Sequence, residues 1–113
     1  MNANARAEVV ECLCELGSPE FQERVWVRGE GPEVSTYTEV ICQLFDDTGL
    51  GDMLDSGAAS IEFGPQAEAS LLTLRSLLSQ VPEGVDARSL FGLPIWRAVV
   101  EAARTSAVLV ASG

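Results

Sequence analysis

Apolar side chains recur three and four residues apart through most of this chain, a spacing that commits it to helices whose inner faces must meet. The fullest stripe is Tyr37, Val40, Ile41, Leu44 and Phe45, at helical period throughout. Val9, Cys12, Leu13 and Leu16 repeat the pattern, with Glu8, Glu11 and Glu15 facing out. Leu71, Leu74, Leu77, Leu78 and Val81 mark a long helix opened by Gly64-Pro65 and closed by Pro82 and Gly84. Ile95, Trp96, Val99, Val100, Ala103 and Ala107 mark a last one that starts at Pro94.

End signals agree with these stripes. Gly17 stops the first helix, and Ser18-Pro19-Glu20 starts the next as cap, first residue and acidic first turn. Residues 19–28 read as helix, although Val25-Trp26-Val27 is also rich in strand formers. Residues 30–35 form a loop, and Thr36 with Glu39 has the spacing of a capping box. The glycine-rich stretch from 49 to 64 carries no clear period, and Asp86 caps a turn through Phe91. The expectation is one all-α domain over residues 1–113, a small antiparallel bundle of about five helices.

Charge sets the second constraint. Seventeen acidic residues face seven arginines, with no lysine and no histidine, for a net charge of −10. Nucleic acid and anionic membrane surfaces are poor partners for such a chain, and a basic protein is the partner its field attracts. The charge is uneven: residues 1–57 carry a net −9 and residues 58–113 a net −1. Without histidine or lysine, the chain lacks its own Ser–His–Asp triad, histidine zinc site, Schiff-base lysine and P-loop lysine. No cofactor is expected. Three cysteines, no spanning apolar run and a polar N-terminus point to a reducing cytoplasm.

Two motifs invite a metal reading. Cys12 and Cys14 stand two apart on a helix, about 200° around it, and so cannot clasp one ion. Asp46, Asp47, Asp52 and Asp55 lie among glycines, yet a calcium-loop register from Asp46 fails at Leu50 and at Gly57. Asp46 and Asp47 also close a helix whose C-terminal dipole prefers cations. That conflict makes these four aspartates, with Glu30 and Glu33, the first candidates for a partner-binding surface. Trp26, between Arg24 and Arg28, is the candidate apolar anchor.

Leu16 with Phe21-Gln22 and Trp26, the end Leu44-Phe45-Asp46-Asp47-Thr48, the leucine-rich run from Leu71 to Leu78, and Trp96-Arg97-x-Val99 form a familiar set. Together they resemble small acidic helical bacterial proteins of uncertain role, some of them similar to immunity proteins of toxin systems. The resemblance implies binding and neutralisation of a cognate toxin, and it carries over no individual residue. The leading expectation is a non-enzymatic protein that binds a basic partner, as a monomer or a homodimer. Two rivals stand beside it. One is a structural subunit that self-associates through the apolar run from Ala107 to Ala111. The other is a metal-dependent enzyme using Asp47 and Asp52.

Overall fold

The structure, a computed structural model, describes residues 1–112. It is helical throughout, and no strand occurs among the described residues. Helix α1 (Ala3–Leu16) is capped by Asn2, whose side chain accepts from the Ala5 amide at 2.8 Å. Val9, Cys12, Leu13 and Leu16 are buried as the stripe requires. Ser18 caps α2 (Pro19–Phe21), which runs straight into a π-helical segment, Gln22–Val27. Residues 25–27 are therefore helical despite their strand-forming side chains.

Thr36 accepts from the Glu39 amide at 3.2 Å to begin α3 (Tyr37–Cys42), which passes into a second π segment, Gln43–Asp47. Only that half of the capping box forms. The Glu39 carboxylate makes no return bond and stays exposed. Thr48, nearly buried, then joins two elements. Its hydroxyl donates to the Leu44 carbonyl and accepts from the Leu50 amide at 3.2 Å.

Eight α-helices form among the described residues where about five were expected. Two of the additional ones, α4 (Leu50–Ser56) and α5 (Ala58–Phe63), fill the glycine-rich stretch, and the third, α7 (Ala87–Leu90), is the turn that Asp86 caps. Short helices have little stability of their own and persist by packing. Leu50, Leu54, Ala59 and Phe63 supply that packing and are all buried. The long helices α6 (Pro65–Ser79) and α8 (Pro94–Ser112) begin at the prolines that the sequence marks.

Helix α8 is the central element, packed against both α1 and α6. Toward α6, the Ser106 hydroxyl lies fully buried and meets Ser70 Oγ at 2.7 Å. Toward α1, arginines bind helix-end carbonyls from both sides. Arg6 Nη2 donates to the Val110 carbonyl at 2.8 Å, and Arg104 Nε donates to the Gly17 carbonyl at 2.7 Å. Each cation sits at the negative end of the other helix. Gly17 permits this approach, because a Cβ there would lie 2.8 Å from Arg104 Cγ. Within the C-terminal apolar run, Val110 is fully buried in the protein's own core, and Val108 is 66% exposed. No described helix is long and apolar enough to cross a membrane.

One buried polar side chain ties three elements together. Gln22 is fully buried, and its amide nitrogen donates to the Glu15 and Leu16 carbonyls, both at 2.9 Å. Its amide oxygen accepts from the Trp96 indole at 3.1 Å. The end of α1, the first π segment and the start of α8 therefore share one amide. Gln22→Leu would strand the Leu16 carbonyl and the Trp96 indole N–H, each costing about 1–3 kcal/mol when buried without a partner, while the Glu15 carbonyl keeps the Ser18 amide at 3.2 Å. The variant is expected to lose about 3 kcal/mol of unfolding free energy in a urea titration. A loss below about 1 kcal/mol would show that the amide is not the tie.

Candidate functional site

Helix α1 presents Glu11, Cys14 and Glu15 outward, at spacings of three and four residues that place them on one face. Across from that face lie the loop 30–36 and the start of α3. The loop is clasped by Arg24, whose guanidinium meets the Glu33 carboxylate in a two-pronged pair at 2.9 and 3.1 Å. Arg24 Nη1 also donates to the Glu30 carbonyl at 3.2 Å. The guanidinium crosses the loop at Gly31, where a Cβ would lie 2.2 Å from Nη1 and where φ is +90°. Only glycine suits both conditions.

Between α1 and this clasped loop opens a cleft of about 620 Å³, large enough for several side chains of another molecule. Four glutamates line it: Glu11 and Glu15 from α1, Glu33 from the loop, and Glu39 from α3. Val10, Phe21 and Val34 give it apolar surface, and Val34 is 88% exposed. Both π segments border it, the first beginning one residue after Phe21 and the second at Gln43, itself a lining residue. Such segments replace a regular turn with one residue more, which re-aims the side chains that follow.

The four carboxylates are held differently. Glu15 Oε2 accepts from the Trp26 indole at 2.8 Å and from the Ser35 hydroxyl, so its position is fixed. Arg24 holds the Glu33 carboxyl well below its ordinary range, at about 2, with help from the residue's own amide. Glu11 and Glu39 are exposed and have no partner for their carboxylates among the described residues. The opening therefore carries two anchored carboxylates and two free ones, with one guanidinium opposing them.

Of the sequence candidates, Glu33 lies in this cleft and Trp26 stands behind it. Trp26 is half-buried in a three-ring cluster with Tyr37 and Trp96, ring centroids 5.6–6.2 Å apart and edge to face. Its indole N–H is bonded to Glu15, so the residue also supports the wall of the cleft. Glu30 is exposed and pairs with Arg28 at 3.0 Å. Asp46, Asp47, Asp52 and Asp55 are all exposed, along the second π segment and α4, outside the cleft. Asp55 pairs with Arg75 at 2.9 Å.

The conflict of Asp46 and Asp47 with a helix end has a structural answer. Helix α4 begins at Leu50, so both residues also precede a helix N-terminus, which favours negative charge. Among the described residues, no three His, Cys, Asp or Glu side chains are placed to hold a metal ion. Cys12 is a core residue whose thiol is pushed up to about 12, chiefly by burial and then by Glu15, Glu8, Glu11 and Asp47. Cys14 and Cys42 are exposed. The helical period puts Glu11 and Glu15 on an outward face, and only the fold sets Glu33 and Glu39 opposite them.

The chain belongs to a protein family described as Domain of unknown function (DUF7945), which matches residues 2–113. No curated protein and no solved structure matches it.

The loop clasp makes a pH prediction. A carboxyl held near 2 in the folded protein, against 4.5 ordinarily, adds stability above about pH 4.5 that is lost as pH falls toward 2. The Glu33 side-chain carboxyl resonance is expected to titrate near 2, and Arg24→Gln should return its midpoint toward 4.5. A midpoint near 4.5 in the intact protein would mean that the clasp does not hold in solution.

Proposed function

We propose that this member of the DUF7945 family is a non-enzymatic binding protein whose acidic cleft receives a cationic, partly apolar segment of another protein. The observation that carries this reading is the ring of Glu11, Glu15, Glu33 and Glu39 around Val10, Phe21 and Val34. A field from four carboxylates and one guanidinium draws an arginine- or lysine-bearing segment toward the opening and repels phosphate and carboxylate surfaces. An apolar side chain of the partner then covers Val34, and fully covering a valine contributes about 1.5–3 kcal/mol. The Glu11 and Glu39 carboxylates have no partner among the described residues to give up, so pairing them breaks no contact seen there.

In this reading the partner is a basic toxin, as the sequence resemblance implies, whose nucleic-acid-binding cations enter the cleft in place of phosphate. The proposed binding surface is the cleft, with Asp46, Asp47, Asp52 and Asp55 contributing long-range attraction. In this reading the protein works in the cytoplasm, as a monomer or a homodimer. Behind the cleft, α1, α6 and α8 stand as an antiparallel frame, a reading supported by the paired caps of Arg6 on the end of α8 and Arg104 on the end of α1.

Two synthetic peptides test the proposal by calorimetry, one of alternating arginine and leucine and one with glutamate replacing arginine. Only the first is expected to bind, and more weakly as sodium chloride rises from 25 to 300 mM, roughly the range over which screening shortens from ~20 Å to ~6 Å. Glu11→Gln combined with Glu39→Gln is expected to weaken it about tenfold, as the loss of two charge pairs at a partly covered site implies. Equal binding of both peptides, or salt-independent binding, would contradict the proposal.

A further inference from the structure

We propose a second binding site, for a small monocarboxylate with an apolar body, in the cleft that Arg97 and Arg104 share on α8. This site is separate from the acidic cleft and does not depend on it.

The arginines of this chain are not treated alike. Arg6 pairs with Glu62, Arg24 with Glu33, Arg28 with Glu30, Arg75 with Asp55 and Arg88 with Glu23. Among the described residues, Arg97 and Arg104 are the two arginines with no carboxylate partner, in a chain where acids outnumber arginines seventeen to seven. These two line the same cleft, of about 360 Å³, between α8, the start of α2 at Pro19, and Phe91 after α7. That volume suits a small molecule and is too little for a folded element.

The geometry prepares one guanidinium in advance. Arg104 Nε is fixed on the Gly17 carbonyl at 2.7 Å, and both terminal nitrogens of its fork have no partner among the described residues. Arg97 lies seven residues earlier, two turns along the same face. Two guanidiniums at this spacing offer donors to one anion, and an arginine fork matches a carboxylate by shape. Pro19, Phe91 and Val100 supply apolar surface for the body of the ligand, and Trp96 closes the back wall.

Charge selects between anions. Glu101 lines the same cleft, so its three ionised side chains sum to a single positive charge. A monoanion neutralises that charge, whereas a doubly charged phosphate leaves an excess negative charge beside Glu101 in a protein already at −10. A carboxylate is therefore favoured over a phosphate.

Sodium benzoate is the probe, titrated into the intact protein at constant ionic strength and followed through the arginine Nε–H and indole N–H resonances. Saturable shifts at Arg97, Arg104 and Trp96 are expected, with a dissociation constant on the order of 1 mM, within reach of a nine-atom ligand. Arg97→Gln, an exposed change that no fold contact depends on, should weaken binding about tenfold. Glu101→Gln should strengthen it, because the like charge is removed. Non-saturating shifts, indifference to either substitution, or inorganic phosphate binding as tightly as benzoate would overturn the proposal.

Discussion

The amide of Gln22 is the constraint on which the rest of the structure depends. It lies where the end of α1, the first π segment and the start of α8 converge, and all of its polar atoms are occupied there. A helix end leaves carbonyls without partners, and burying such an end is tolerable only when something donates to them. Gln22 donates to the Leu16 carbonyl and Arg104 to that of Gly17, and the Glu15 carbonyl takes both Gln22 and the Ser18 amide, so α1 can end inside the protein rather than at its surface. Trp96 is in turn oriented by the same amide, and its ring sets the edge-to-face cluster with Trp26 and Tyr37.

From that hub the acidic cleft follows in a short chain of contacts. Trp26, set by the aromatic cluster, donates to Glu15 and holds it on one wall. Ser35 reaches the same carboxylate oxygen and pulls the loop 30–36 toward α1. Arg24 clasps the loop from its other side through Glu33. Exposed ion pairs of this kind contribute little stability, a fraction of a kcal/mol in many proteins, and here their larger effect is positional. They leave Glu11 and Glu39 as the carboxylates of the opening without a side-chain partner among the described residues.

Much of the fold was legible in the sequence because helix ends are local. Ser18, Thr36 and Asp86 each cap where their spacing to an apolar stripe says they should, and Pro65 and Pro94 begin the long helices. The π geometry of Gln22–Val27 and Gln43–Asp47 was not legible, since an apolar stripe at period 3.6 and one slightly wider fit these short runs equally well. Helices α4 and α5 left no clear period, because seven- and six-residue helices show too few turns to reveal one. The charge excess of the first half was visible as a count, but its focus was not. The aspartates cluster in sequence and lie outside the cleft, whereas Glu11, Glu15, Glu33 and Glu39 are scattered in sequence and meet only once the chain folds.

The central claim is that the acidic cleft, and not the aspartate-rich segment, is where a cationic partner seats. Backbone amide shift mapping tests it most directly, with an arginine- and leucine-containing peptide added to the labelled protein. The largest changes are expected at Val10, Glu11, Cys14, Val34 and Glu39, with those at Asp46, Asp47, Asp52 and Asp55 small. Changes concentrated on the four aspartates, with the cleft residues unmoved, would contradict it.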